Sequence, residues 1–337
     1  MFQTGIHIAL QSLSSDLLTW LMLQVTASGC YFFVIATVIA VMFGFSLRKG
    51  FLLFQIIAWT AAISEIAKQI FGLPRPFFTD SRVALLDPHW DKVAPLHDMG
   101  GRTFFDLPQQ AAIEAFRQHD LSFGFPSGHT TGAMAMWGGL AVVFRKRALA
   151  WLAPFMVALI AFTRLYLGVH FLADILGGIV LGGLMLFFAW RLIGSEANRE
   201  RFFAAALSGL RRSLPTFLYA LFLFILPLLL AAFSLLSPAI AGFYVGLNAA
   251  FTLLLRSGLP SDAGGFRVRL ARVLISGFLF WLLSLLLRQG TSLLPAIASS
   301  PWRLFLAAGL GSFLTLWGGL RLFQRLGLYR QAAPPVA

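Results

Sequence analysis

The sequence predicts an all-α, polytopic integral membrane protein with about nine transmembrane helices. Of its 337 residues, 58% are apolar and 12% are Asp, Glu, Lys or Arg, which is about half the charged share of a soluble domain. A single core cannot bury that much apolar surface, so a bilayer must cover the rest. The composition therefore excludes a disordered tail, a nucleic-acid-binding module and an ordinary cytosolic enzyme. The single cysteine, Cys30, excludes a disulfide framework within the chain.

Nine apolar stretches are long enough to cross a hydrocarbon layer of about 30 Å at about 1.5 Å per residue. The preceding residues, 1–27, include Asp16 and several Ser, Thr and Gln, which indicates an amphipathic surface segment, with a further span as the alternative. The Ser237-Pro238 step divides the uncharged run 214–255 into two spans. The predicted spans are 28–47, 51–70, 128–144, 149–167, 170–192, 214–234, 238–255, 272–288 and 303–320.

Basic clusters predict the orientation of these spans. Each cluster follows an odd-numbered span, and short cytoplasmic loops collect Lys and Arg. We therefore expect the N-terminus outside and the C-terminus in the cytoplasm. The net charge of +13 is explained by this loop bias and does not require a nucleic-acid partner. The clusters contain Arg48, Lys49, Arg145, Lys146, Arg147, Arg191, Arg199, Arg201, Arg211, Arg212, Arg256, Arg267, Arg269, Arg272, Arg321, Arg325 and Arg330.

The loop 71–127 lies on the outer side by this topology and departs from the basic trend of the chain. A loop this long is usually functional or disordered, and its many aromatic residues favour an ordered cap on the membrane surface. Asp106, followed by Pro108 and the run QQAAIEAFRQHD, predicts a short helix with an N-cap aspartate. The charged residues of the loop are Asp80, Asp87, Asp91, Asp98, Asp106, Glu114 and Asp120, with Arg75, Arg82, Lys92, Arg102 and Arg117.

Polar and ionisable residues gather at four predicted helix ends, all on the outer side. Such residues are costly in a membrane and commonly mark functional sites. They are Lys68 at the end of the second span and Arg75 beyond it, Ser127, Gly128 and His129 at the start of the third, Arg164 near the end of the fourth, and His170 and Asp174 at the start of the fifth.

These residue types suit phosphoryl transfer. Lysine and arginine neutralise a phosphate and its transition state, and arginine adds forked contacts. A Ser-Gly step at a helix N-terminus favours an anion. His170 and Asp174 are four residues apart, so Asp174 can accept the Nδ1 proton and leave Nε2 as a nucleophile. His129, on another helix, can donate a proton to the leaving oxygen.

The pattern resembles the type 2 phosphatidic acid phosphatase (PAP2) superfamily, whose motifs are K-x6-RP, PSGH and SR-x5-H-x3-D. Three motifs in order, each at a predicted helix end, are more specific than any one alone. Thr163 stands where the family usually has serine, and it keeps the hydroxyl. The motifs read here Lys68-QIFGLP-Arg75-Pro76, Pro126-Ser127-Gly128-His129 and Thr163-Arg164-LYLGV-His170-FLA-Asp174.

The resemblance implies a mechanism without metal or other cofactor. The histidine that matches His170 attacks phosphorus and forms a phosphohistidine, and the one that matches His129 protonates the leaving group. Membrane members mostly act on lipid phosphates, such as phosphatidic acid, or on isoprenoid diphosphates, such as undecaprenyl diphosphate. The positions that match the phosphate-binding residues of the family are Lys68, Arg75, Ser127, Gly128 and Arg164.

We therefore expect three parts: the N-terminal segment 1–27, a phosphatase core over 28–192, and a transmembrane extension over 193–337. The expected partners are a lipid phosphate substrate and membrane lipids. The expected location is the bacterial cytoplasmic membrane, with the active site facing the periplasm. The role of the extension and the oligomeric state stay open.

The sequence also allows other interpretations. Lys68 can be a lysine at a helix end whose side chain only extends its ammonium group to the membrane–water interface and pairs with Glu65. The remaining histidines have no matching partners and are interpreted as surface residues: His7, His89, His97 and His119. For the whole chain, the alternatives are a lipid phosphotransferase at the same site, a glucose-6-phosphatase-like enzyme with a soluble substrate, a haloperoxidase and, outside the enzymes, a transporter.

Overall fold

A computed structural model of the chain describes residues 1–90, 96–119, 122–207, 213–293 and 299–329. The described residues form helices and no β-strand, which confirms the predicted all-α fold class. Several charged residues that the sequence assigned to loops lie outside the described ranges: Asp91, Lys92, Asp120, Arg211, Arg212 and Arg330.

The helices are numbered in chain order. Three of them, α7, α11 and α14, each contain one π-helical turn, at Met134–Gly138, Leu221–Ile225 and Leu314–Gly318. The helices are α1 Gly5–Gln11, α2 Asp16–Ala27, α3 Tyr31–Gly44, α4 Leu47–Phe71, α5 Pro76–Thr79, α6 Gln110–Arg117, α7 128–144, α8 Arg147–Tyr166, α9 Leu172–Ile193, α10 Glu196–Leu207, α11 Leu214–Ala232, α12 Pro238–Arg256, α13 Phe266–Ser292 and α14 Trp302–Arg325.

Among the described residues, seven helices are long and apolar enough to cross a membrane, or eight if the pair α2 and α3 forms one span bent by 46°. A polytopic membrane protein is therefore supported, but the predicted count of nine spans is not confirmed. Two predicted spans are short helices. The helix α3 has 14 residues and α7 has 17. At about 1.5 Å per residue, each is shorter than a hydrocarbon layer of about 30 Å.

One compact unit consists of Met1–Val34 and Gln55–Trp190, and it contains every predicted site residue. Within it, α8 packs against α1, α2 and α7. Aromatic residues of the outer loop, including Phe78 and Phe116, form a buried cluster with Tyr166 and Val169 at the end of α8. The described part of the loop is therefore packed onto the helix ends, where it can hold the site residues in place.

The predicted loop helix is present as α6, but its predicted N-cap is wrong. The helix begins at Gln110, with Gln109 in the capping position. The Asp106 carboxylate instead accepts a hydrogen bond from the backbone N–H of Thr103 at 2.7 Å. A local turn thus uses the acceptor that the sequence pattern assigned to the helix.

The second compact unit consists of Ile35–Phe54 and Arg191–Ala337. Among its described residues, Phe51 and Phe251 stack with ring centroids 3.8 Å apart. Arg272 is fully buried and donates to backbone carbonyls that include Leu328, with the Tyr329 ring 3.6 Å away. In this division into compact units, residues 35–54 belong with the C-terminal helices. The functional boundaries at 28, 192 and 193 stay a prediction.

Candidate active site

His170 lies in the turn between α8 and α9, and both of its ring nitrogens have defined partners. Its Nδ1 is 3.2 Å from Oδ2 of Asp174, which lies in the first turn of α9. Its Nε2 is 3.1 Å from Nη1 of Arg75, a group that can only donate. Nε2 therefore accepts and Nδ1 donates, which is the tautomer with a lone pair on Nε2. Both His170 and Asp174 are buried.

The Arg75 guanidinium is fixed almost entirely by backbone carbonyls. The side chain is buried, and its Cζ lies 3.9 Å from the ring centroid of Trp90. These contacts hold a positive charge against the lone pair of His170. The acceptors of Arg75 are the carbonyl oxygens of Ser122 at 2.8 Å, Phe123 at 3.1 Å and Val169 at 2.9 Å, together with Nε2 of His170.

Lys68 ends close to the start of α7. Its Nζ lies 2.7 Å from Oε1 of Glu65, which confirms the predicted pairing of these residues, and 3.5 Å from Oγ of Ser122. A Cβ placed on Gly128 would lie 3.2 Å from Lys68 Nζ, a tight contact. The absence of a side chain at Gly128 therefore leaves room for the ammonium group at the helix N-terminus.

Ser127 caps α7 and ties it to α9. Its Oγ accepts from the backbone N–H and from the hydroxyl of Thr130, at 3.4 and 3.1 Å. Its backbone N–H donates to the Asp174 carbonyl at 2.8 Å. The fully buried Ser127 hydroxyl thus acts as a helix cap in this structure. The effect is to hold the start of α7 beside the helix that carries Asp174.

Arg164 is fully buried near the end of α8. Its Nη1 donates to Oγ1 of Thr26 at 2.7 Å, and its Nη2 donates to Oδ2 of Asp87 at 3.1 Å. Its Nε has no hydrogen-bond partner among the described residues. The neighbouring Thr163 hydroxyl bonds the Ile160 carbonyl within the helix, so it plays no part in this contact.

His129 follows Gly128 in the first turn of α7 and is partly exposed. Its Nε2 lies 3.7 Å from Sγ of Cys30. The His129 ring and the charges of Lys68, Arg75 and Arg164 are all close enough to His170 to interact with it electrostatically. The structure therefore brings the predicted histidines and cations into one cluster, with His129 on its accessible side.

Three further residues belong to this region and were not predicted. Thr26 and Asp87 hold Arg164, as described above. The sequence predicts a surface position for His7, which is wrong: His7 is fully buried and its Nε2 lies 2.9 Å from the His170 carbonyl oxygen. No motif or spacing in the sequence connects these residues to the site. An acidic outer loop was the one available signal, and it did not single out Asp87.

The ionisation of the outer residues follows from their surroundings. Burial opposes ionisation of Asp87, but the Arg164 charge and hydrogen bonds from His89 outweigh it and hold the pKa of Asp87 below its usual value. Burial lowers the pKa of His7, although its bond to the His170 carbonyl acts in the other direction. Asp87 is therefore a carboxylate and His7 a neutral imidazole at pH 7.

Within the described residues, His, Cys, Asp and Glu side chains form no group of three or more that could hold a metal ion. The chemical groups that the cluster offers are two imidazoles, a buried carboxylate beside one of them, and three cationic side chains. This set can bind an anion, supply a nucleophile and transfer a proton.

The apolar helices and the cluster define a polytopic membrane protein with a site suited to phosphate esters. Comparison with known proteins gives the family: the model of the PAP2 superfamily matches residues 49–197. The chain belongs to the PAP2 superfamily, as the three motifs predicted, and it is a phosphate-ester hydrolase of that superfamily.

Three bacterial relatives show the extent of the similarity. Phosphatidylglycerophosphatase B of Bacillus subtilis strain 168 is 38% identical over 154 residues, which cover 41% of this chain and 75% of that protein. A lipid A 4'-phosphatase of Porphyromonas gingivalis is 36% identical over 70 residues, which cover 21% of this chain and 30% of that protein. Undecaprenyl-diphosphatase BcrC of B. subtilis is 36% identical over 73 residues, which cover 22% of this chain and 37% of that protein. A search of solved structures found no significant match.

Proposed function

We propose that the protein hydrolyses a lipid phosphomonoester or an isoprenoid diphosphate through a phosphohistidine formed on His170. The observation that carries this proposal is the pair of hydrogen bonds on the His170 ring, to Asp174 on one side and to Arg75 on the other. They orient an unprotonated Nε2 next to a fixed positive charge. A phosphate oxygen that accepts the Arg75 donor in its place would bring phosphorus to the Nε2 lone pair.

In the first step, the Nε2 lone pair forms a bond to phosphorus while the bond from phosphorus to the leaving oxygen breaks. His129, in its protonated form, gives its proton to that oxygen, so that the dephosphorylated lipid leaves as an alcohol or monophosphate. Asp174 keeps its hydrogen bond to Nδ1 and stabilises the positive charge that develops on the His170 ring.

In the second step, water replaces the lipid. The water oxygen attacks phosphorus while neutral His129 accepts a proton from the water. The bond between His170 Nε2 and phosphorus then breaks. Inorganic phosphate leaves and both histidines return to their starting states. Lys68, Arg75 and Arg164 carry the positive charge that stabilises the phosphoryl oxygens in each transition state, where burial strengthens the interaction.

The substrate class is inferred from the setting of the site. The three relatives are named as a phosphatidylglycerophosphatase, a lipid A 4'-phosphatase and an undecaprenyl-diphosphatase. Large apolar side chains next to the site residues are exposed, among them Ile70 and Phe71 after Lys68 and Tyr31 after Cys30. In a bilayer these side chains would contact the apolar part of a lipid. The distribution of Lys and Arg supports a site on the extracytoplasmic face.

The proposal is tested with full-length protein purified in detergent. We expect His170→Ala to lower phosphate release from phosphatidic acid and undecaprenyl diphosphate by at least about a thousandfold, since the nucleophile is lost. His97→Ala is the matched control, because His97 is an exposed histidine of the outer loop that bonds only Ser81 among the described contacts. We expect it to stay within about twofold of wild type.

Radiolabelled lipid phosphate gives the second measurement. Acid-labile label should be trapped on wild-type protein and on His97→Ala, and should be absent from His170→Ala. Activity of His170→Ala within a few-fold of wild type would refute the nucleophile assignment. Label in a second lipid would indicate phosphotransfer, and a strong preference for a soluble sugar phosphate would refute the substrate class.

A further inference from the structure

Arg164 is anchored from two sides by residues outside the three motifs. We propose that Thr26 and Asp87 are positioning residues that set the Arg164 guanidinium for the phosphate group. This inference rests on the proposed function, in which Arg164 binds phosphate. Thr26 reaches Arg164 from α2 and Asp87 reaches it from the outer loop, 138 and 77 residues away in sequence.

The hydrogen bonds of the Arg164 guanidinium leave its Nε–H available to a ligand. The bonds to Thr26 and Asp87 use one N–H on each terminal nitrogen, Nη1 and Nη2. The third nitrogen, Nε, is buried and has no partner among the described residues. A buried N–H without an acceptor is unfavourable, and a phosphate oxygen would satisfy it. The two anchors thus hold the end of the side chain while Nε stays available.

Asp87 is itself oriented, so it can act as a fixed support. Its Oδ1 accepts from the backbone N–H of His89 at 3.2 Å and lies 2.9 Å from Nδ1 of the same residue. That leaves Oδ2 for Arg164. The carboxylate is buried and lies next to a buried guanidinium, so each charge stabilises the other.

The two anchors have separable physical roles. Asp87 supplies a counter-charge, and Asn in its place would keep an oxygen acceptor but lose the charge. Thr26 supplies an uncharged acceptor, and Val in its place would keep the shape but lose the oxygen. Thr26 also lies outside residues 49–197, which match the superfamily model, so this support is contributed by the preceding segment.

The experiment compares Asp87→Asn, Thr26→Val and Thr26→Ser in full-length, detergent-purified protein. The measurements are kcat/KM on phosphatidic acid, the inhibition constant of orthovanadate, and thermal stability. The matched control is Asp80→Asn. Asp80 is a buried carboxylate of the same loop, paired with an arginine, Arg82, and hydrogen-bonded by Thr4, but it has no described contact with the cluster.

We expect Asp87→Asn to lower kcat/KM and to weaken vanadate inhibition, each by about tenfold or more, because Arg164 loses its counter-charge. Thr26→Val should lower kcat/KM and weaken vanadate inhibition by about threefold each, and Thr26→Ser should restore wild-type values of both quantities. Asp80→Asn should lower thermal stability while its vanadate inhibition stays within about twofold of wild type.

The inference would be overturned if Asp87→Asn and Asp80→Asn lost activity in parallel with thermal stability while vanadate inhibition stayed the same. It would also be overturned if Thr26→Val and Asp87→Asn both matched wild type while Arg164→Ala was impaired. If Arg164→Ala itself kept wild-type activity and vanadate inhibition, the phosphate-binding role of Arg164 in the proposed function would fail first.

Discussion

At the scale of single residues, the motif spacing predicted which side chains lie near one another, because the motif residues lie at or beside helix ends. The four-residue spacing predicted that His170 and Asp174 lie within reach of each other, and their Nδ1 and Oδ2 atoms are 3.2 Å apart. His170, however, lies in the turn before α9 and not on the helix itself. The supports of Arg164 could not be predicted in this way. Asp87 and Thr26 meet Arg164 only through long-range packing, and no sequence period relates residues so far apart.

Glu65 offers a prediction at this scale. Its side chain is 37% exposed and pairs with the buried Lys68 at 2.7 Å. Because a phosphate must compete with this carboxylate for the Lys68 ammonium, we expect Glu65→Gln to lower KM for phosphatidic acid by about two- to fivefold with little change in kcat. Steady-state kinetics in detergent micelles measure both values.

The control for this change is Glu114→Gln, an exposed loop residue that bonds Gln110 within α6. It should leave KM unchanged. A higher KM for Glu65→Gln would contradict the prediction, because it would mean that Glu65 holds Lys68 in its productive position instead of competing with substrate.

At the scale of elements, apolar stretches predicted where helices lie, but not how each begins or how far it extends. The loop helix α6 starts after Gln109 because the Asp106 carboxylate is engaged in a local turn. The helix α3 is shorter than the predicted span 28–47, whereas α7 begins and ends at the predicted residues, 128 and 144. A hydropathy pattern counts apolar residues, whereas helix ends depend on single hydrogen bonds and turns.

The outer loop gives a prediction of pH dependence. Burial disfavours ionisation of Asp80, but hydrogen bonds from Arg82 and Thr4 outweigh it and lower the pKa of Asp80 to about 2. A carboxyl with a lowered pKa stabilises the fold above its unfolded pKa, near 3.8, and loses this effect as the pH falls toward 2. We therefore expect Asp80→Asn to lower Tm at pH 7.

The same comparison at acid pH supplies the check. The Tm difference between wild type and Asp80→Asn should be constant from pH 7 to about 5 and should shrink as the pH falls below about 4. Thermal unfolding of detergent-purified protein, followed by intrinsic fluorescence, measures it. A difference that grew on acidification would show that the stabilising group is not the ionised carboxylate.

At the scale of the whole molecule, composition alone predicted a polytopic membrane protein, and the apolar helices support it. The count of spans and the grouping of residues 35–54 with the C-terminal helices could not be predicted. Grouping depends on which apolar faces pack together, and a chain with apolar residues on every face gives no periodic signal for this choice. The orientation in the membrane stays a prediction.

Orientation can be tested by cysteine labelling. In a Cys30→Ala background, we expect Arg102→Cys in the outer loop to react with a membrane-impermeant thiol reagent in intact cells. Lys146→Cys, after α7, should react only once the membrane is permeabilised. Both positions are exposed in the structure, so accessibility to the reagent depends on the side of the membrane. The reverse pattern would place the candidate site on the cytoplasmic face.

The backbone contacts of Arg75 bear on how this protein can diverge. Three of its four acceptors are main-chain carbonyls, so they do not depend on the side chains at Ser122, Phe123 and Val169. Residues 122 and 123 reach the surface beside the cluster. The Phe123 ring also packs against the buried cluster of Phe78 and Phe116, whereas the Ser122 side chain is exposed. Evolution or protein engineering can therefore vary the side chain at position 122 to suit another head group without removing a hydrogen bond of the central arginine.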